Sequence, residues 1–178
     1  MKIRIILFFL FILVIGYLIY QYNTYSNRPA PTGLHPIIKE KTDLLLKRTE
    51  EIGISIVITD GFRSIDEQEA IYQQGRETEG EIVTYAQGGE SYHNYGLAVD
   101  FAIELPNGEV IWDLTYDGNQ NEEADWMEVV EIAKELGFDW GGDFTNFKDY
   151  PHLQMDFGLS IRELKWGKRP EDVIDSPQ

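Results

Sequence analysis

The stretch Ser91–Asp100, SYHNYGLAVD, carries a histidine and an aspartate on either side of a turn that leads into a strand. From Leu97 to Leu105 every odd position is apolar, and this period of two predicts a strand with one face in the core. Asp100 therefore projects from the other face, between two alanines that leave room for an ion. Gly96 permits a tight approach of the preceding loop, which brings His93 to the same place.

The segment Asp149–His152, DYPH, repeats this arrangement further along the chain. From His152 to Phe157 the odd positions are again apolar, so His152 shares the opposite face with its even neighbours. If the two strands are neighbours, Asp100 and His152 emerge on one side of one sheet, and His93 reaches them from its loop. Two imidazoles and one carboxylate leave a fourth position on a tetrahedral zinc ion for water, which is typical of a catalytic site.

Each of these residues also has an ordinary structural interpretation. A single histidine is more often a surface or core residue than a ligand, and Asp100 alone would serve as a buried hydrogen-bond acceptor. The chain has only three histidines, however, and two of them lie beside strand aspartates with matching orientation. The joint pattern favours a metal site, and it leaves Asp149 free to act as a base.

The motifs Ser91-x-His93-x-x-Gly96-x-Ala98-x-Asp100 and Asp149-x-x-His152 resemble those of a zinc peptidase family. That family includes peptidoglycan L-alanyl-D-glutamate endopeptidases and D-alanyl-D-alanine carboxypeptidases, and its fold group contains the signalling domain of hedgehog proteins. The resemblance spans about residues 34–157. It also takes in three further features: Gly61-Phe62-Arg63-Ser64, Gln68, and Trp140-Gly141-Gly142-Asp143-Phe144.

The resemblance implies one zinc ion per chain, bound by His93, Asp100 and His152, with Asp149 as the general base. In the carboxypeptidase branch the base is usually glutamate and a tryptophan precedes the last histidine, whereas this chain has Asp149 and Pro151. We therefore expect an endopeptidase that cleaves between L-alanine and D-glutamate of the peptidoglycan stem peptide. A D-alanyl-D-alanine carboxypeptidase is the alternative. A non-enzymatic wall-binding module is the alternative from a different class, although this chain keeps all four residues.

Arg63 and Ser91 are further candidates for the site. The guanidinium of Arg63 suits a substrate carboxylate or a developing oxyanion, so we assign it a catalytic and substrate-binding role. A structural salt bridge is an equally good interpretation of Arg63. Ser91 lies two residues before His93 and is a candidate to bind substrate, whereas a purely local turn role is the alternative.

The N-terminus predicts export. Lys2 and Arg4 precede an apolar run from Ile5 to Tyr20, which is slightly short of the usual membrane span of about 20 residues. No small-residue cleavage site is obvious before Arg28, so we expect an uncleaved anchor that holds the rest on the extracytoplasmic face; a cleaved signal peptide is the alternative. The expected domains are an anchor over 1–27, a Pro-rich linker over 28–36, a zinc peptidase domain over 37–170 and an acidic tail over 171–178.

Charge and composition limit the binding partners and the chemistry that this chain is expected to have. Of the 15 basic residues 12 lie beyond Arg28, together with all 31 acidic residues, which gives the exported part a net charge of −19. This charge argues against nucleic-acid binding. The absence of cysteine excludes disulfides and thiol catalysis. A monomer that acts on peptidoglycan and contacts the membrane through its N-terminus is the expected assembly.

The remaining elements indicate an α+β fold, with flanking helices on an antiparallel sheet and the zinc site on one sheet face. Expected helices cover Ile37–Glu51, a segment capped by Ser64 and running to about Gln74, and a segment capped by Asp125 and running to Leu136; expected short strands cover Ser55–Thr59 and Val110–Trp112.

The loop Asp117–Glu128 has oxygen-bearing side chains at positions 1, 3, 5, 7, 9 and 12, the spacing of a calcium loop. Its sixth position is Glu122, where the turn of such a loop requires glycine. A calcium site at this loop is therefore a hypothesis, and a solvated acidic loop with Asp125 and Glu128 as a helix capping pair is the alternative.

Overall fold

The computed structural model describes residues 2–174, which form two compact units. One unit is 31–157; the other joins the chain up to Ala30 with the chain from Gly158. The helices are α1 Lys2–Tyr25, α2 Pro36–Glu51, α3 Ile65–Gln73, α4 Asp125–Glu135, α5 Ile161–Lys165 and α6 Glu171–Ile174. The strands are β1 Ile56–Asp60, β2 Ala98–Glu104, β3 Val110–Ile111, β4 Asp139–Trp140 and β5 His152–Gln154.

The sheet has the strand order β1-β2-β5-β4, with β3 paired to β2, and every pairing is antiparallel. The predicted α+β class with an antiparallel sheet is therefore confirmed. β2 and β5 are direct neighbours, and Asp100 lies opposite His152 in their register. β5 is shorter than the alternation predicts, since it ends at Gln154 rather than at Phe157. Phe157 has a positive φ of 54°, which is not a strand conformation.

The core lies between β2 and the helix α4. Val99, Phe101 and Ile103 are buried, as the period of two predicts, and the Phe101 ring lies 4.5 Å from the ring of the buried Trp126. In α2 the leucines at 44–46 do not all face the core. Leu45 is fully buried, whereas Leu44 is 36% exposed, because successive residues on a helix point 100° apart and cannot all face one side.

Of the two predicted helix caps, the one at α3 is confirmed and the one at α4 is wrong. The capping box of α3 is present, because Ser64 Oγ accepts from the backbone of Glu67 and the Glu67 carboxylate accepts from the backbone of Ser64. The assignment of Asp125 as the cap of α4 was wrong. Ala124 occupies that position, and the Asp125 carboxylate accepts from the backbone N–H of Gly118 at 3.1 Å instead.

The acidic loop before α4 gives no support to the calcium hypothesis. Its carboxylates accept hydrogen bonds from the loop itself: Asp117 from the backbone N–H groups of Asn121 and Glu122, and Glu128 from the side-chain amides of Asn119 and Asn121. These donors occupy two of the carboxylates that the spacing alone had suggested as ligands.

Gly96 ends the 3-10 helix Tyr92–Tyr95 with a φ of 66°. A Cβ placed there would lie 2.2 Å from the carbonyl oxygen of Gly33 and 2.9 Å from the backbone nitrogen of His35. The glycine therefore permits the hydrogen bond that His35 N–H donates to the Gly96 carbonyl at 2.9 Å, as well as the turn itself.

We expect Gly96→Ala to lower the free energy of unfolding by at least about 2 kcal/mol, since it adds both a left-handed alanine and a steric overlap. Gly108→Ala is the matched control. Gly108 also has a positive φ, 82°, but its added Cβ meets nothing within 4 Å. Urea unfolding of both variants separates the cost of a left-handed alanine from the cost of the steric overlap. Equal losses in the two variants would show that the contact with Gly33 contributes nothing.

The other unit contains α1, α5 and α6. Arg28 binds the carboxylate of Asp172 in α6 with two hydrogen bonds of 2.6 and 2.8 Å, and the Tyr25 ring lies 5.9 Å from the Trp166 ring. Within α1, residues Ile6–Tyr25 have a mean hydropathy of 1.9 and none of that window is buried. This helix is long and apolar enough to cross a membrane.

Candidate active site

Three ligand-type atoms converge where β2 meets β5. His152 Nδ1 lies 3.2 Å from Asp100 Oδ1 and 3.2 Å from His93 Nε2, and His93 Nε2 lies 3.3 Å from Asp100 Oδ1. Asp100 and His152 come from adjacent strands, and His93 comes from the 3-10 helix that Gly96 ends. Among residues 2–174 this is the only such set of three metal-ligand side chains.

Hydrogen bonds on the far side of each imidazole set its tautomer. His93 Nδ1–H donates to the carbonyl oxygen of Gly61 at 2.7 Å, and His152 Nε2–H donates to Gln154 Oε1 at 2.9 Å. In the neutral rings, His93 Nε2 and His152 Nδ1 therefore present lone pairs to one another and to the Asp100 carboxylate. Metal-binding histidines are oriented in this way by their outer hydrogen bonds.

The pKa shifts of Asp100 and His152 favour a positive charge between their side chains. Burial opposes ionisation of Asp100, yet hydrogen bonds with His152 and His93 hold its pKa well below its usual range. Burial also disfavours the charged form of His152, but the hydrogen bond and charge of Asp100 outweigh it and raise the pKa of His152. The carboxylate thus stabilises positive charge between the two rings, whether a proton or a metal ion supplies it.

The spacing of the three atoms fits zinc. Ligand bonds of about 2.0–2.1 Å in a tetrahedron place the ligand atoms about 3.3–3.4 Å apart. The observed separations of 3.2 to 3.3 Å match this spacing. The donor set, two imidazole nitrogens and one carboxylate, is also one that catalytic zinc sites use.

Gly141 fixes Asp149 beside His152. Asp149 N–H donates to the carbonyl of Gly141 at 3.1 Å, and a Cβ on Gly141 would lie 2.2 Å from Asp149 O and 3.0 Å from the Cβ of His152. Trp140 Nε1–H donates to the carbonyl of Tyr150 at 2.7 Å. The segment that carries both side chains is therefore packed directly onto the backbone of the Trp-Gly-Gly turn.

The environment of Asp149 suits a general base. Burial raises the pKa of the Asp149 carboxyl; His152, His93 and Arg63 oppose this rise by their charges, and Asp100 adds to it. A carboxylate with a raised pKa accepts a proton more readily than an exposed one.

Arg63 and Ser91 make local contacts that match the alternatives considered for them. Arg63 forms a salt bridge with Asp60 and donates to Gln68 Oε1 at 2.8 Å, and Gln68 is fully buried. Ser91 Oγ accepts from the backbone N–H of His93 at 3.3 Å and so caps the 3-10 helix. Both residues border the site, and the described contacts give each a structural role.

Sequence reasoning missed two supporting residues. Gln154 orients His152, although the alternation of β5 placed it on the same face as that histidine. Asn94 is buried and accepts from the backbone N–H of Gly89 while donating to the carbonyl of Arg63. Its place between His93 and Tyr95 was the available signal, since a polar residue in a buried turn needs partners.

We expect Gln154→Leu to weaken zinc binding about 10- to 100-fold, because His152 loses the acceptor that fixes its tautomer. Gln154→Glu is the control, since it keeps an oxygen acceptor at the same place. Zinc affinity is measured by competition with a chromogenic chelator. Equal affinities of the leucine variant and the unaltered protein would contradict this role.

Comparison with known proteins places this site in a family. A family profile described as D-alanyl-D-alanine carboxypeptidase matches residues 84–155, which contain all four residues of the proposed centre. The peptidoglycan L-alanyl-D-glutamate endopeptidase CwlK of Bacillus subtilis is 59% identical over 133 residues, which cover 75% of this chain and 80% of that protein. The L-alanyl-D-glutamate peptidase of Listeria phage A118 is 32% identical over 113 residues, covering 64% of this chain and 34% of the phage protein.

The fold also resembles that of a solved peptidase structure. The crystal structure of the L,D-carboxypeptidase DacB from Streptococcus pneumoniae superposes with a TM-score of 0.51 at 23% identity, covering 76% of this chain and 78% of that one. The fold, the site and these matches define a metallopeptidase. The chain belongs to the zinc peptidase family that includes the peptidoglycan L-alanyl-D-glutamate endopeptidases.

Proposed function

We propose that this chain is a zinc-dependent endopeptidase that cleaves the L-alanyl-D-glutamate bond of peptidoglycan stem peptides. The convergence of His93 Nε2, Asp100 Oδ1 and His152 Nδ1 within 3.2 to 3.3 Å carries the proposal. The 59% identity to an enzyme of that name supports the choice of bond.

His93, Asp100 and His152 would hold the zinc ion, one per chain. When bound, zinc lowers the pKa of a coordinated water toward neutrality and polarises the scissile carbonyl. Asp149 takes the proton of the attacking water and delivers it to the leaving amine of D-glutamate, so it acts first as base and then as acid. Pro151 and the Gly141 contact hold Asp149 at a fixed place relative to His152 throughout the cycle.

Arg63 and Ser91 remain the candidates for substrate contact. The guanidinium of Arg63 is held by Asp60 and Gln68, so its orientation is set before substrate binds. A fixed guanidinium suits a carboxylate of the D-glutamate residue or the developing oxyanion. Ser91 retains its hydroxyl hydrogen for a substrate carbonyl while its oxygen caps the backbone.

The carboxypeptidase reaction of the same family is the second candidate, and the family profile matched by residues 84–155 bears that name. Digestion of intact peptidoglycan with the zinc-loaded full chain, followed by mass spectrometry, decides between them. New N-terminal D-glutamate is the expected product. Release of free D-alanine would establish the carboxypeptidase instead. Zinc-loaded protein that cleaves neither bond would favour a wall-binding module.

We propose an extracytoplasmic location, with 1–27 as a membrane anchor, 28–36 as the linker, 37–170 as the peptidase domain and 171–178 as an acidic tail. The apolar helix Ile6–Tyr25 and the cell-wall substrate support this arrangement. The proposed enzyme works as a monomer, since one chain supplies all four residues of the centre. Fractionation of cells that express the full chain tests the anchor: recovery in the soluble secreted fraction would instead indicate a cleaved signal peptide.

A further inference from the structure

The residues that follow α5 contact the end of α1, within the unit that joins the two ends of the chain. The Trp166 ring lies 5.9 Å from the Tyr25 ring, and the Arg169 guanidinium donates to the carbonyl of Pro29 at 3.2 Å. A Cβ on Gly167 would overlap the carbonyl oxygen of Tyr25, so the two backbones touch at this glycine. The place of this C-terminal segment is therefore set by the end of α1.

The end of α1 is also the end of its apolar window. Ile6–Tyr25 contains 20 residues. As a helix this window is about 30 Å long, which matches the hydrocarbon core of a bilayer. In the proposed anchor Tyr25 therefore lies at the outer interface, where tyrosine and tryptophan are enriched. Trp166 packs on Tyr25, so it lies at the same depth.

The segment 158–170 differs in charge from the unit 31–157. It contains four basic residues and one acidic residue, whereas 31–157 contains eight basic and 27 acidic residues. Asp172, which follows the segment in α6, is already paired with Arg28. Anionic lipid headgroups attract clustered lysine and arginine beside a membrane span. The basic charge of the outer region thus lies in the segment that contacts the membrane-length helix.

One exposed face of α5 presents two of these cations together with the indole ring. Arg162, Lys165 and Trp166 are three and four positions apart, so they share a face, and all three are exposed. Leu164 points away from them and is buried. A hollow of about 610 Å³ lies at this face, and its lining residues are Ser160, Arg162, Glu163, Trp166 and Lys168.

The single carboxylate of the hollow is balanced by its neighbours. Glu163 accepts from the backbone N–H and from the hydroxyl of Ser160, as part of the capping box of α5. Lys168 Nζ pairs with the same carboxyl group at 2.8 Å. Arg162 and Lys165 therefore give this face an excess of positive charge, which suits an anionic ligand.

We propose that the exposed face of α5 rests on the outer surface of the membrane and that its hollow binds the headgroup of an anionic phospholipid. The lipid phosphate would pair with the guanidinium of Arg162, and Lys165 would contact a neighbouring headgroup. The indole of Trp166 would lie between the headgroups and the acyl chains. This inference rests on the proposed membrane anchor, and it adds a second membrane contact with a preference for anionic lipid.

The test places the full chain in vesicles that mix phosphatidylcholine with phosphatidylglycerol and measures quenching of tryptophan fluorescence by brominated lipid. Two samples have the same lipid composition. Bromine is on the phosphatidylglycerol in one, and on an equal amount of the phosphatidylcholine in the other. The signal of Trp166 is the difference between the unaltered chain and Trp166→Phe. We expect brominated phosphatidylglycerol to quench this signal at least about twofold more strongly than brominated phosphatidylcholine.

Arg162→Gln combined with Lys165→Gln should make the two brominated lipids quench Trp166 equally, because the charges that select the headgroup are gone. Lys39→Gln combined with Lys47→Gln removes the same charge from exposed positions of α2 and should keep the preference. Equal quenching in the unaltered chain would overturn the headgroup site. Absence of any quenching of Trp166 would overturn the membrane contact. Loss of the preference on addition of soluble poly(glycerol phosphate) would assign the hollow to a wall polymer instead.

Extraction of the vesicles with alkaline carbonate separates this inference from the proposals on which it depends. Protein that stays with the vesicles has α1 as a membrane span, and the quenching result then decides on the α5 face alone. Protein that is released would show that the anchor is wrong, and the inference would fall with it. Hydrolysis of stem peptides by detergent-solubilised protein tests the proposed reaction in either case.

Discussion

Replacing Asp149 with asparagine should lower kcat by about 10³-fold while one zinc ion per chain remains bound. Asparagine keeps the size and the backbone of the residue but cannot take a proton from water, and a positioned general base contributes about 10²–10⁴-fold to such reactions. Stem-peptide hydrolysis and zinc content are measured on the same protein sample. Retention of more than a tenth of the activity would remove Asp149 from the mechanism.

The same change should stabilise the metal-free protein. Burial raises the folded-state pKa of Asp149 above its ordinary value, so its protonated form favours folding. That contribution is fully present below the unfolded pKa and is lost as pH rises through the folded pKa. At pH 7, which is above the unfolded pKa, the buried carboxyl group therefore lowers stability, and asparagine removes this cost.

Urea unfolding of the metal-free proteins at pH 7 and at pH 3 tests whether Asp149→Asn raises or lowers the free energy of unfolding. The variant should be the more stable protein at pH 7, and the difference should shrink at pH 3, where both forms are uncharged. Greater stability of the unaltered protein at pH 7 would show that Asp149 makes a favourable ionic contact in the metal-free state. Such a result would contradict the effect of burial on its pKa.

His93→Ala should abolish zinc binding and reduce activity at least about 10³-fold, because two remaining ligands cannot hold the ion at a catalytic position. Zinc content after dialysis and the rate of hydrolysis are the measurements. Addition of a chelator should lower the melting temperature of the unaltered protein and leave that of His93→Ala unchanged, since a ligand stabilises only the state that binds it.

His35→Ala is the matched control, since His35 is the one histidine outside the centre. Its Nδ1 accepts from the backbone N–H of Ile37 at the start of α2, so the variant should lose about 1 kcal/mol of stability and keep its zinc and its activity. Full zinc occupancy in His93→Ala would show that His93 is not a ligand. Loss of zinc in His35→Ala would show that the assay reports general unfolding.

The alternation of residues along β2 and β5 made the central part of the fold predictable. A period of two identifies the face of each residue, so Asp100 and His152 were expected on one side of the sheet, and the register places them directly opposite each other. The length of β5 was not predictable in the same way. Alternation continues to Phe157 in the sequence, but the chain leaves the sheet after Gln154.

Contacts between distant parts of the chain explain what the sequence did not reveal. The hydrogen bond of Gly61 to His93 and the packing of Gly141 on Asp149 depend on backbone positions, which no side-chain pattern encodes. The oxygens of the Asp117–Glu128 loop have the spacing of calcium ligands, but spacing does not show whether nearby N–H groups already occupy them. The structure shows such donors at Asp117 and Glu128.

In the proposed zinc site, the direct pairing of Asp100 with His152 would also favour some ions over others. The backbones that carry the two side chains are held together, because Phe101 N–H donates to the carbonyl of Pro151 at 3.1 Å beside them. A cation with longer bonds, such as cadmium, would need its three ligands further apart than 3.2 to 3.3 Å. The hydrogen-bonded ladder of the sheet keeps the two strands at their spacing, so a larger ion would have to be accommodated by rotation of the Asp100 and His152 side chains or by the loop that carries His93.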